Sequence, residues 1–212
     1  MNGQEIVKYL EMVANSNLGV NFLMHLVVFL TLAVIFMAKS NQVKRFFFQT
    51  ALSGLFLSVM VNAIIHGNPF HIFTFAILTV TALAQLFFGK QKIELTSSRT
   101  TKAIAFFFIF IGIWYPDFIE KNLLMLLLVS PVGVIPCPTL LTTLGLMTLV
   151  APSLSKTEYL ITAIMGLIYG IIGVFILKVY LDITLLGLAG YCLYNIFCRF
   201  NHNKTEMVES LN

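Results

Sequence analysis

Charge is what this sequence has least of. Only 10% of its 212 residues are charged, against about 25% in an ordinary soluble domain. Hydrophobic residues make up 58%, and mean hydropathy is +0.92. A water-soluble fold of this length cannot bury so much apolar surface. Cysteine is scarce as well. Cys137, Cys192 and Cys198 give no disulfide framework, and Cys192 and Cys198, six apart, point to different faces of one helix. No H-E-x-x-H, G-x-S-x-G or phosphate-binding loop occurs, so the common hydrolase and nucleotide signatures are missing. No paired carboxylates lie inside an apolar run, and no internal repeat supports an inverted-repeat transporter. The start, MNGQEIVKYLEMVANSN, is polar, with Glu5 and Glu11, and lacks the basic start followed by a short apolar core that marks a cleavable signal peptide.

What is present is a series of apolar runs, several approaching the ~20 residues that a spanning helix needs. They do not alternate apolar and polar residues as barrel strands do. The fold class is therefore all-α: a polytopic helical membrane bundle of about seven transmembrane helices. Residues 1–17 form a polar N-terminal segment, 18–198 a single seven-helix domain, and 199–212 a tail expected to be disordered. Spans are predicted at 18–38, 46–66, 70–88, 103–116, 159–178 and 182–198, with one more between Lys121 and Ala151. HGNP at 66–69 is a tight turn, because proline ends one helix and can start the next. The polar stretch GKQKIELTSSRTTK, 89–102, is a loop.

Cytoplasmic loops carry the excess of lysine and arginine. With the N-terminus out and the C-terminus in, all thirteen basic residues except Lys8, Lys121 and Lys178 fall inside. The net charge of +4, spread over short loops, is thus an orientation signal and not a nucleic-acid footprint. The chain is then outside near Asp117 and inside near Lys156, which requires an odd number of crossings between them. A continuous helix from 122 to 150 would be about 43 Å long at 1.5 Å per residue, too long for a hydrocarbon core of ~30 Å. Pro131, Pro136 and Pro138 break it. An apolar leg at 122–130 is expected on or in the outer leaflet. A non-helical SPVGVIPCP follows, and a true span starts near Pro138 or Thr139 and runs to Val150. The fifth span is the broken one.

The run Gly133, Val134, Pro136, Cys137, Pro138, Thr139 resembles the G-V-P-C-P-T-T stretch that enters a helix in a bacterial family of uncharacterised multi-pass membrane proteins, a domain of unknown function. Here Ile135 is an extra residue and Leu140 stands where a second threonine is usual. Asp182 at the start of the last helix and Asn17 before the first span are similar to that family too. The resemblance implies a multi-pass protein of a bacterial cytoplasmic (inner) membrane and carries no activity.

Non-helical backbone at membrane depth survives only where protein or water satisfies it, and broken helices commonly line transporter sites. The candidate substrate-binding residues are therefore Pro136, Cys137, Pro138 and Thr139 at the break. Asn62 and His66, one helical turn apart, join them with Asp117 as a polar stripe on the outer side. Cys137 is a weak metal candidate: soft metals favour thiolates, but His66, His71 and Asp117 lack ligand spacing. His25 reads as an interhelical hydrogen bond, Gln85 likewise. Trp114 and Tyr115 read as an interfacial anchor, and Asp182 as the cap of the last helix. Gly166 and Gly170 have small-xxx-small spacing; with Gly187 and Gly190 they suggest close packing of the last two spans. Few charges lie inside the spans, which weighs against ion coupling, since coupling normally needs a buried acid.

Three functional classes follow. The first is a small permease or solute-binding membrane protein with an outward-facing site at the break. The second is a structural or accessory subunit in which the break only shapes the fold. The third is a thiol- or metal-dependent membrane protein using Cys137. No cofactor is indicated. The expected partners are the lipid bilayer, an unidentified small-molecule ligand, further copies or other membrane subunits, and no nucleic acid.

Overall fold

Short polar side chains set four of the helix starts. In the computed structural model, which describes residues 3–119 and 121–209 without the side chains of Leu123, Pro152 and residues 199–209, Ser40, Asn68, Ser98 and Asn122 each accept a first-turn amide. Such caps satisfy donors that a helix start leaves open. The helices are α1 (Gly3–Ser16), α2 (Leu18–Met37), α3 (Asn41–Ile65), α4 (Pro69–Phe88), α5 (Arg99–Ile113), α6 (Leu123–Val129), α7 (Pro136–Leu149), α8 (Lys156–Ile171) and α9 (Ile183–Glu209). A π-helical turn, Ile172–Leu177, continues α8, and a 3-10 turn, Tyr180–Asp182, precedes α9. No strand occurs among the described residues.

Five helices are long and apolar enough to cross a membrane: α2, α3, α4, α8 with its π-helical extension, and Tyr180–Cys198. The seven expected spans are therefore not all of spanning length. α5 has 15 residues and α7 has 14, or about 20 Å each at 1.5 Å per residue. α6 has only 7. The last helix continues past Cys198 to Glu209, beyond the predicted end of its span. The end of the tail expected to be disordered, 210–212, lies outside the described residues. The N-terminal segment is helical: α1 is amphipathic and buries Leu10, Val13 and Ala14.

Hydrogen bonds sort the connections into two groups at opposite ends of the bundle. At one end, the Tyr9 hydroxyl donates to the His66 carbonyl (3.4 Å), Asn15 to the Phe118 carbonyl (3.1 Å), and Tyr115 to Asp182. At the other, the Thr96 amide donates to the Leu149 carbonyl (2.9 Å), and the Glu94 amide to the Ser153 hydroxyl (3.0 Å). α5 and α7 run antiparallel between these ends. Gly112 lies against Thr142 and the Pro138 carbonyl, and Gly145 against Ile109 and the Ala105 carbonyl. A Cβ at Gly112 would overlap Thr142, so glycine is what lets the two backbones meet.

α7 is the hub. All its residues are buried, and it touches α3, α5, α8 and α9. Its threonines suit that position because each hydroxyl bonds back along the helix. Thr142 donates to the Pro138 carbonyl (2.8 Å), Thr143 to Leu140 (3.2 Å) and Thr148 to Leu144 (2.7 Å). α8 packs along α9 as expected, but through one partner's small residues only. Gly166 meets Leu144, Leu185 and Ala189, and Gly170 meets Leu186. Gly187 and Gly190 face open space. The knobs of α9 are its leucines and alanine, and its glycines take no part.

Candidate functional site

The break between α6 and α7 is held by side chains, which is how non-helical backbone persists among apolar helices. Asn21 donates to the carbonyls of Ala14 and Val129, both at 3.1 Å. Ser130 donates to the Ile113 carbonyl (2.9 Å) and lies 3.2 Å from His25 Nε2, while His25 Nδ1 is 2.7 Å from the Asn21 carbonyl. His25 thus ties α2 to the end of α5 and to the break, the interhelical role read from sequence. Gly133 turns the chain with φ of 79°, a conformation open mainly to glycine, and a Cβ there would overlap Met24. Its amide donates to Thr139 Oγ1, which donates to the Ile135 carbonyl, both at 2.7 Å.

α7 begins at Pro136, slightly before the predicted Pro138 or Thr139. Pro136 and Pro138 both lie in its first turn, where amides have no intrahelical partner. The prolines therefore sacrifice no helical hydrogen bond and preset the backbone. Cys137, between them, is 6% exposed. Its thiol lies near the carboxylate of Asp182.

Asp182 is fully buried, and its carboxylate does not cap α9. Oδ1 accepts the Tyr115 hydroxyl at 2.5 Å, and Oδ2 has no hydrogen-bond partner. Gly173, in the π-helical turn, lies so close to this carboxylate that a Cβ would overlap it. Tyr115 is likewise not an interfacial anchor: it is fully buried and stacks on Phe118 with centroids 5.8 Å apart. Trp114 stacks on Phe110 at 6.1 Å.

A cavity of about 230 Å³ opens beside Cys137. Its walls are Ile6, Tyr9 and Leu10 of α1, Asn68, Phe70 and His71 at the start of α4, Ile135 and Pro136 at the break, and Tyr169, Ile172, Ile176 and Leu177. The Tyr169 hydroxyl lies 2.8 Å from His71 Nδ1. A smaller hollow of about 20 Å³ shares Tyr9, Leu10, Asn68, His71, Ile135 and Pro136, and adds Asn62 and His66. The two form one vestibule roofed by α1.

Of the candidate residues, Pro136 and Cys137 line the main cavity and Asn62 and His66 the hollow. Pro138 and Thr139 line neither; they are buried behind it, Thr139 as the staple of the break. Asp117 is exposed, lines neither hollow, and does not complete a stripe with Asn62 and His66. The residues added are Tyr9, Tyr169, Asp182 and Tyr115; Asn68 comes from the HGNP turn and His71 from the first turn of α4 that follows it. Among the described residues, no group of three or more His, Cys, Asp or Glu can hold a metal ion. Buried acids do exist: Asp182 here, and Glu158 near the opposite end. The sequence reading, that few charges lie inside the spans, weighs against ion coupling without identifying either of them as buried. No family model, no curated protein and no solved structure matches this chain.

Proposed function

We propose that this chain is a seven-pass protein of a bacterial cytoplasmic membrane, N-terminus outside and C-terminus inside, that binds a small solute in the vestibule at its broken helix. It would belong with the G-V-P-C-P-T-T family that its break resembles. The two ends of the bundle support the threading. One gathers the loops around residues 66–69, 114–135 and 178–182, and the other the lysine- and arginine-bearing loops. α5 and α7, though short, pass between them.

The observation that carries the solute reading is the cavity itself. At about 230 Å³ it is smaller than the 300–1,000 Å³ of drug-sized sites, so its occupant is a small molecule. The walls are mainly apolar, with the hydroxyls of Tyr9 and Tyr169, Asn68 and His71 as polar groups that can orient it. The accessory-subunit alternative draws on Thr139, whose staple makes the break a sufficient fold device without a ligand.

One experiment separates the two. The purified protein is unfolded thermally in a panel of amino acids, polyols and nucleobases, and Cys137 alkylation by N-ethylmaleimide is followed in parallel. A solute that both stabilises the protein and slows modification of Cys137 supports the vestibule. A panel in which no solute does either favours the accessory subunit. The thiol-dependent alternative fails if Cys137→Ser keeps full solute-dependent stabilisation.

A further inference from the structure

The end of the bundle opposite the vestibule holds a second polar cluster. Glu158 lies in the first turn of α8 and is 1% exposed. Ser155 and Glu158 have the spacing of a capping box, in which each would satisfy the other's end of the helix start. Neither does so: Ser155 makes no side-chain cap, and Glu158 turns to α3, where Gln49 Nε2 donates to its Oε2 at 3.1 Å. Gln49 is 3% exposed, and Ser53, one turn further along α3 on the same face, is 6% exposed.

Three buried oxygens in this cluster have no hydrogen-bond partner: Glu158 Oε1, Gln49 Oε1 and Ser53 Oγ. Buried polar atoms are nearly always paired, so three such oxygens on two helices joined by the Gln49–Glu158 hydrogen bond need an explanation. Arg45, a turn before Gln49, also keeps an unpartnered Nη1. Among the described side chains the carboxylate has Gln49 as its hydrogen-bond partner, and a buried carboxylate is costly unless a positive charge compensates it.

We infer that Glu158, Gln49 and Ser53 form a binding site for a hard monovalent cation of the sodium class. The donor set is all oxygen, as hard cations require. One positive charge neutralises one carboxylate, whereas a divalent ion would leave an excess charge in an apolar bundle. A proton would neutralise Glu158 but occupy only one of the three open oxygens. The site stands independently of the vestibule reading, at the other end of the same bundle. α8 joins the two: about 16 Å of helix, at 1.5 Å per residue, separates Glu158 from Tyr169 in the cavity wall.

The test is thermal unfolding of the purified chain in sodium chloride against choline chloride, at equal ionic strength and one alkaline pH. Sodium is expected to raise Tm with a saturating dependence that choline lacks. Glu158→Gln, nearly isosteric and neutral, is expected to abolish the sodium-dependent shift. Ser53→Ala, which keeps the carboxylate, is expected to raise the half-saturating sodium concentration about tenfold. Asp182→Asn, in the outer cluster, is expected to keep the shift. The inference is overturned if sodium and choline give the same Tm, or if Glu158→Gln retains the full shift. Should Glu158→Gln fail to fold, an unchanged half-saturation in Ser53→Ala is sufficient to overturn it.

Discussion

Among the described residues, the two ends of this bundle bury one carboxylate each, and they do so by different means. Asp182 is reached by irregular backbone: the loop after α5 supplies Tyr115, the broken helix supplies Cys137, and the π-helical turn supplies Gly173. A cavity stands alongside. Glu158 is reached by a regular helix face, through Gln49 of α3 with Ser53 in the next turn, and it lines neither hollow of the vestibule. Irregular backbone can hold open a space for a molecule, because side chains such as Thr139 and Ser130 take up its polar groups. At Glu158 the two helices meet through the Gln49 hydrogen bond, and the open oxygens there are the ones assigned to an ion. The same residue type thus serves different chemistry according to what surrounds it.

The largest expected break in this comparison comes from Tyr115→Phe. It removes the hydrogen bond to a fully buried carboxylate and is expected to destabilise the protein by about 3 kcal/mol. In an Asp182→Asn background, where no charge is left stranded, the same change is expected to cost about 1 kcal/mol. Denaturant titration of the four proteins measures the difference, and equal costs in both backgrounds would show that Tyr115 acts through packing alone.

Gln49→Leu is the matching change at the other end. It leaves Glu158 without its amide partner and is expected to cost about 2 kcal/mol, without altering the alkylation rate of Cys137. A changed rate would mean that the ends are coupled through α8 more tightly than the hydrogen bonds indicate.

The smallest contrast is within α7. Thr139→Val removes the acceptor of the Gly133 amide and is expected to cost about 1.5 kcal/mol. Thr143→Val, whose hydroxyl bonds only to its own helix, is expected to cost about 0.5 kcal/mol or less. Unfolding midpoints of the two variants compare a side chain that shapes the break with one that does not.

The elements are legible in the sequence and the buried acids are not. Apolar run lengths, the HGNP turn and the three prolines place most helix boundaries within a few residues, because these signals are local. Asp182 and Glu158 escape a sequence reading because each also fits a local role. Asp182 stands just before an apolar helix, as a cap would, and Glu158 falls in a helix's first turn, where acids are common. Their actual partners, Tyr115 and Gln49, lie 67 and 109 residues away in the chain, beyond any periodicity. Tyr115 misleads for the same reason: beside Trp114 and Pro116 it fits the pattern of an interfacial anchor, and only the packed structure buries it. The broken segment itself is legible, since proline chemistry alone forbids a continuous rod. That Pro136 starts the helix, and that Thr139 braces the turn and does not face a ligand, depends on contacts the sequence does not display.

The central claim is that the broken helix forms a vestibule facing outward. It is tested most directly by modifying Cys137, with Cys192 and Cys198 replaced by serine, in sealed membrane preparations of known sidedness. A small membrane-impermeant thiol reagent added from the outside is expected to modify Cys137. Modification only from the cytoplasmic side, or only after detergent is added, would contradict the claim.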